Sequence, residues 1–469
     1  MPYTIIGSVA TFTSGGIWGQ SVGPNMARVQ GLDRPPFVIR AQLISPLDAG
    51  GSTHLADARI EVDMEGRIAR AEPWPVDERE SADASESGVV DLRPMVVLPG
   101  LIDLHAHLPQ LPNAGVGAGL DLLTWLERYI FPLERGFDAA SAERLAPLAF
   151  KALAAAGTTT ALLYGAVYEA SLDACFAAAE THGIRLVLGK VMMDRLRYDA
   201  TIGDGEVLDA SLAQSQRLIE RWHGRDRGRL RYAVTPRFAV SCSPEMLRES
   251  AALAKATGAY WQTHIAEDRH EVDEVHRLFP DAIDYTDVYD RAGGLGPQTI
   301  LAHAVYLSDR QVARLAETGT RIAHCPASNL FLASGAMRLA RYLDAGLVVG
   351  LGSDVAAGPE LSIFASMRAG AYTQSGVRTM LGDDRPLLKP LDWLRLGTLE
   401  GARVLGMERE TGSIEAGKDA DFIVVDPVAT APIEGAQVDD PSDIVSRLMY
   451  RTRPDMIAGT WVRGRRLPA

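Results

Sequence analysis

LIDLHAHLPQLP, residues 101–112, is an apolar run that ends in two histidines and then breaks into prolines. A short, nearly continuous apolar run is what a parallel strand covered on both faces requires. At its end His105 and His107 are spaced i, i+2, which on a strand turns both imidazoles to one face. Two imidazoles leaving a buried strand together cost desolvation unless something satisfies them. They are either half of a metal site, since neutral imidazole is the commonest protein ligand, or an incidental hydrogen-bonded pair. This stretch alone leaves both readings open. Where the other polar residues fall decides between them, and decides the fold.

Seven more runs of the same kind follow: GTTTALLY (157–164), IRLVLGKVMM (184–193), LRYAVTPRF (230–238), YWQTHIAE (260–267), TILAHAVYL (299–307), RIAHCPAS (321–328) and LVVGLGSDV (347–355). Helical patterns separate them. SAERLAPLAFKALAAAG (141–157) stops at a glycine, and SPEMLRESAALAKATG (243–258) opens on a Ser–Pro cap and also stops at a glycine. Eight strands alternating with helices fit an α/β (β/α)8 barrel or a doubly wound sheet. The polar residues favour the barrel, because there all C-terminal strand ends converge on one site, and His, Glu, Asp and Arg cluster at those ends. The expected barrel spans 96–405. Outside it, FVIRAQLISPL (37–47) and ARIEVDMEGRIARAEP (58–73) read as strands, the latter with a turn at Glu65-Gly66. ERESADASESG (78–88) reads as a polar loop, and residues 1–36 as a strand with a loose arm. ETGSIEAGKDADFIVVD (410–426) reads as strand, turn, strand, and MIAGTWVRGRRLPA (456–469) as β-rich. Residues 1–95 and 406–469 are therefore expected to pair into one small β-sandwich domain.

Composition narrows the class. With 469 residues, 47% hydrophobic and 23% charged, the chain has room for a large barrel with additions. A net charge of -13 argues against a nucleic-acid partner, which needs a clustered basic face. Cys175, Cys242 and Cys325 are too far apart for a disulfide framework. The opening MPYTIIGSVATFTSGG has no basic n-region, and no run reaches the roughly 18–20 apolar residues of a membrane span. A soluble, cytoplasmic protein with no membrane partner is expected.

The strand ends supply the remaining ligands. His264 stands in QTHIAED, His303 in LAHAVY and Asp354 in GLGSDV, and His324 in AHCP is an outside candidate. Three histidines and a carboxylate form a set suited to Zn²⁺ or Fe²⁺ rather than Ca²⁺ or Cu(I). Glu267, three residues past His264, is either a proton shuttle beside that metal or an ordinary carboxylate before the next helix. His54, His182, His223, His270 and His276 lie in polar or helical segments and are expected to be solvated.

PGLIDLHAH, THIAED, LAHAVYLS, AHCPASN and GLGSDV together resemble the amidohydrolase superfamily over roughly residues 95–430, and within it the guanine deaminase branch. LLTWLERYIFPLE (122–134), GTTT (157–160), TPRFAVSCS (235–243), YTDVYDRAGGLGPQTILAHAVYLS (285–308) and IAHCPASNLFLASG (322–335) carry that closer likeness. The resemblance implies that His105, His107, His264 and Asp354 hold one Zn²⁺ per subunit, with Fe²⁺ as the alternative. It implies Glu267 as the proton shuttle, with His303 and Asp354 completing the catalytic set. Purine contacts would fall on Gln110, Arg237 and Phe238. Trp125 and Phe131 are either pocket walls or core. The implied reaction replaces the 2-amino group of guanine with water's oxygen, giving xanthine and ammonia, in a homodimer. Related oxopurine or pterin aminohydrolases (8-oxoguanine, isoxanthopterin) and triazine hydrolases are the alternatives, with a non-catalytic scaffold a remote one. The strand reading YAVTPRF lacks the lysine that bridges two metals in other members, and Lys190 on the preceding strand is read as structural. Leu108-Pro109 replaces the branch's usual small pair, and Ala356-Ala357 its Ala-Gly, so the first difference is where ring selection is expected to shift.

Overall fold

The computed structural model describes residues 29–75, 88–199 and 201–469. The expected strand and loose arm over 1–36 lie outside them up to residue 28, as does the polar loop 78–88 up to residue 87. The strands are β1 Phe37–Pro46, β2 Ser52–Val62, β3 Ile68–Pro73, β4 Val89–Pro99, β5 Leu101–His107, β6 Thr158–Tyr164, β7 Arg185–Gly189, β8 Val191–Met192, β9 Leu230–Pro236, β10 Tyr260–Ile265, β11 Thr299–His303, β12 Arg321–His324, β13 Val349–Leu351, β14 Phe422–Val425, β15 Ile457–Val462 and β16 Arg465–Arg466.

β5, β6, β7, β9, β10, β11, β12 and β13 hydrogen-bond in that order, all parallel, with β8 continuing β7 against β9. The last strand returns to the first just above β13. There Asp354 N–H donates to the His105 carbonyl at 2.6 Å and His107 N–H to the Val355 carbonyl at 2.9 Å. Gly352 permits this seam, because a Cβ there would meet His105 Cβ at 2.7 Å. The chain is thus an eight-stranded (β/α)8 barrel, as the polar strand ends require.

Along β5 the side-chain parity changes once. Ile102 and Leu104 fill the barrel's lower interior with Leu162, Val187, Ala233 and Ile300, whereas Leu101 and Ala106 pack outward against the helices. The register against β6 slips between Asp103 and Ala106. Such a bulge re-aims the residues after it. Without it, strict alternation from Ile102 and Leu104 would point Ala106 inward and turn His105 and His107 away.

Four expected strands end early. The run 260–267 leaves the ladder after Ile265, 299–307 after His303 and 321–328 after His324, and 347–355 shrinks to Val349–Leu351. Ala266, His303, Ala304 and Asp354 adopt φ of 48°, 72°, 52° and 51°. These left-handed residues turn the chain out of the sheet at the barrel mouth, and each non-glycine residue held there costs about 1–3 kcal/mol.

Both ends of the chain build one second sheet, in the order β16-β15-β14-β4-β1-β2-β3. Its strands alternate as a two-sided sheet must. Met95, Val97, Phe422 and Val424 face a core of the sheet's own, and Val96, Leu98, Ile423 and Val425 face the barrel helices. Trp461 Nε1 donates to the Leu32 carbonyl at 2.6 Å, tying the two ends together. At the barrel's lower end fully buried Arg185 meets Asp419 at 2.7 Å and Asp421 at 2.9 Å, fastening sheet to barrel away from the site. Two expectations here are corrected. β2 starts at Ser52, not 58, because it pairs with β1 along its whole length. Residues 410–421 form no regular strand: Asp419 makes a single bridge to Arg67, and Lys418 O accepts from Ile68 N–H at 2.9 Å.

Candidate active site

At the C-terminal mouth a cavity of about 370 Å³ is lined by His107, Gln110, Leu122, Trp125, Leu126, Arg237, Phe238, His264, Glu267, His303, Leu332, Asp354 and Ala357. Nearly every residue picked out from sequence is here. His105 lies directly beneath, its ring packed edge-on to those of His107, His264 and His303.

The strand ends set the geometry. Ligand-capable atoms of His105, His107 and His264 lie within 4.8 Å of one another, and so do those of Glu267, His303 and Asp354. His107 Nε2 is 3.2 Å from His264 Nε2, and Asp354 Oδ1 is 3.3 Å from His105 Nε2 and 3.6 Å from His107 Nε2. Burial pushes all three imidazoles well below the ordinary histidine range, so they are neutral. His264 Nδ1–H donates to the Arg237 carbonyl at 2.6 Å, leaving Nε2 a lone pair aimed at the others. Among the described residues, buried His105 Nε2 and His303 Nε2 have no hydrogen-bond partner. Buried lone pairs facing one another beside a carboxylate are poor company for themselves, and a divalent cation among them satisfies all of them at once. The residues fit a metal ion.

The surrounding polar groups hold these side chains still. Asp103 Oδ1 accepts from His105 N–H at 3.2 Å and Ser353 N–H at 2.9 Å, clamping β5 to the last loop, and burial lifts its carboxyl to about 7. Ser328 Oγ donates to Asp354 Oδ2 at 2.6 Å. His303 Nδ1–H donates to Asn329 Oδ1 at 2.9 Å, so Nε2 faces Glu267 Oε2 at 3.4 Å and Asp354 Oδ2 at 3.8 Å. Burial, then the charge of Asp354, raises Glu267 well above the carboxylate range. Burial lifts Asp354 to about 6, against the pull of His303.

Two buried acids around the site escaped the sequence reading, Asp103 and Glu134. Glu134 is fully buried behind the cavity, where its Oε1 accepts from Gln110 Nε2 at 2.8 Å and its Oε2 pairs with Arg237 Nη1. It sits at the end of the helical segment 122–135, inside a stretch that carries the family likeness but in which only the aromatics Trp125 and Phe131 are singled out. Ser328 and Asn329 were likewise in plain view in AHCPASN. Trp125 lines the cavity, whereas Phe131 lies beneath the Arg237 guanidinium at 5.3 Å. His324 is buried but joins none of the ligand-capable groups.

Of the five histidines expected in water, His270 and His276 are exposed. His182 is not: it is buried on Phe150 and donates to the Pro468 carbonyl at 2.7 Å, because the chain's last residues cover it. His223 and His54 are half-buried and bonded to Tyr232 N–H and Gln42. Lys190 is buried in the barrel wall, 3.2 Å from Ser211 Oγ, and burial depresses its amine to about 7. The three cysteines are buried and unpaired, and among the described residues no helix is long and apolar enough to cross a membrane.

Residues 96–467 match the amidohydrolase family. The chain belongs to that family. Amidohydrolases similar to it include the guanine deaminase of Escherichia coli, 38% identical over 77% of this chain and 79% of the relative. The structure of a guanine deaminase from C. acetobutylicum with bound guanine in its active site is 27% identical, covers 92% of this chain and all of that one, and has a TM-score of 0.83. An adenosine deaminase from Xanthomonas campestris with bound zinc is 25% identical, with a TM-score of 0.77 over 92% of this chain and 93% of that one.

Against this amidohydrolase frame the Leu108-Pro109 difference finds its place. Both residues are buried in the short turn after β5, and neither lines the cavity; Leu108 packs with the core outside the barrel wall. The structure therefore gives this pair a packing role behind Gln110 and no direct contact with the cavity. Leu108→Ala should cost about 2–5 kcal/mol in denaturant unfolding while leaving KM for the ring within about twofold. A specificity change at unchanged stability would reverse that assignment.

Proposed function

We propose that this amidohydrolase catalyses the zinc-dependent hydrolytic deamination of guanine to xanthine and ammonia. The observation that carries the reading is the meeting, in one cavity, of the neutral three-histidine and carboxylate cluster with the buried Gln110–Glu134–Arg237 set. The guanine deaminase relatives and the zinc in the adenosine deaminase neighbour support it. His105, His107, His264 and Asp354 would hold one zinc ion. When bound, zinc supplies a nucleophile at neutral pH by lowering the pKa of water to about 7.

The chain's own residues do the rest. Phe238 offers a flat apolar face for the ring, and Leu122, Trp125, Leu126 and Leu332 exclude bulk water. Arg237 is placed to donate to a ring carbonyl. Glu267, buried beside the histidine cluster, would carry two protons in turn: the first from the attacking water to a ring nitrogen, the second from the newly added hydroxyl to the departing amine, which leaves as ammonia. His303 Nε2 stands across from Glu267, where, once it carries a proton, it would donate to the reacting carbon's oxygen as negative charge grows there. The same resemblance supports a cytoplasmic homodimer serving purine breakdown.

The test is steady-state ammonia release by zinc-loaded protein from guanine, 8-oxoguanine, isoxanthopterin, cytosine, adenine and a chlorotriazine. Guanine should exceed every other substrate in kcat/KM. Turnover confined to a pterin or 8-oxoguanine would move the substrate and keep the chemistry, and chloride release would replace the reading. Exhaustive chelation should abolish turnover, and one equivalent of Zn²⁺ should restore it; activity that survives chelation removes the metal from the reading.

A further inference from the structure

We infer that Glu134 is a positioning residue that fixes the donor–acceptor polarity of the pocket, so that it takes the lactam edge of a ring, C=O next to N–H, and rejects an amino–imine edge. The inference rests on the purine reading of the site. A side-chain amide can present either its oxygen or its NH₂ group, and nothing in Gln110 itself chooses. Glu134 chooses for it. Paired with the Arg237 guanidinium, its carboxylate can only accept, so Gln110 must turn Nε2 toward it. The amide oxygen is left over: Gln110 Oε1 is buried and has no partner among the described residues, in a residue that lines the cavity.

Arg237 is oriented by the same acid. The Nη1 contact with Glu134 is the one hydrogen bond its guanidinium makes among the described residues, with Phe131 stacked beneath it. The remaining N–H groups of a cavity-lining guanidinium are donors and can never accept. The wall therefore offers one acceptor and a fork of donors, both fixed by a single acid behind it. A ring with O6 and N1–H satisfies both. A ring with a 6-amino group and a bare N1 sets NH₂ against guanidinium N–H and lone pair against amide oxygen. Leaving buried polar groups unpaired in this way is strongly selective.

Hypoxanthine and adenine isolate that edge, since both lack the 2-amino group and differ only at position 6 and N1. In equilibrium titrations, the zinc-loaded protein should bind hypoxanthine at least about 100-fold more tightly than adenine. Glu134→Gln can donate as well as accept, which frees the Gln110 amide to turn over. The ratio should then fall below about 10-fold, partly through tighter adenine binding, which damage to the fold does not produce. A wild-type ratio near one overturns the inference, as does a folded Glu134→Gln protein that loses both affinities in proportion. Should that variant not fold, Glu134→Asp keeps a charge for Arg237 and draws the oxygen away from Gln110; an unchanged ratio there also overturns it. Guanine turnover measured alongside separates the two readings. Hypoxanthine preference without guanine deamination removes the activity and keeps the edge selection, and guanine deamination without the preference does the reverse.

Discussion

Glu267→Gln is expected to lower kcat on guanine about 10³-fold, within the usual range for loss of a positioned acid–base group, while the protein keeps one metal ion per chain. The amide matches the carboxylate in shape, so the cavity walls and the Ser334 hydroxyl, now 3.3 Å from Glu267 Oε1, stay where they are. What it cannot do is take a proton and give it back. Glu267 lies beyond the left-handed Ala266, just past the end of β10, and belongs to a separate ligand-capable group from the three neutral imidazoles. Its loss should therefore leave metal content unchanged, as read by elemental analysis, and KM close to wild type. Activity within tenfold of wild type would strip Glu267 of the shuttle role, and loss of metal in parallel would make it a ligand.

Arg237→Ala should be the most damaging single change on the substrate side. It removes the ring-facing donor and strands the Glu134 carboxylate, which has no exposed surface and no other cation among its bonded partners. Breaking a buried pair by removing one member costs about 3–5 kcal/mol. Both losses should appear together: a lower denaturant midpoint, and KM for guanine raised about 100-fold for a lost charged hydrogen bond, worth roughly 1.5–3 kcal/mol. Glu134→Gln on that background should recover much of the stability and none of the affinity, because the stranded charge is gone and the donor is still missing. An Arg237→Ala protein as stable as wild type would show that Glu134 needs no counter-charge.

The barrel was legible because its signal repeats. Eight apolar runs ending in polar residues make a pattern that no one strand could carry, and His105, His107, His264, His303 and Asp354 announced the site by ending those runs. What the sequence hid were features set by other parts of the chain. Leucine and alanine look alike in a run, so the slip in β5 that turns His105 inward becomes visible only against β6. The extra length of β2 comes from its partner β1, not from its own polar residues. Glu134 reads as one more helix-surface acid in ERYIFPLERG, and it becomes special only because Gln110 and Arg237, 24 and 103 residues away, converge on it. His182 went the same way, covered by Pro468 from the far end of the chain.

The sheet made from both ends has a consequence for how the protein is born. β4 is complete once Pro99 has been synthesised, but its neighbour β14 begins at Phe422. For the whole interval in which the barrel is being made, β4 offers an unpaired edge of the kind that recruits other chains. The bond from Trp461 to Leu32 closes a loop of 429 residues, and contacts so distant along the chain form late and slowly. The nascent protein is thus most exposed to aggregation just before the segment from Phe422 onward leaves the ribosome. Ribosome-stalled chains ending before β14 should depend on chaperones that chains including β14 and β15 no longer need.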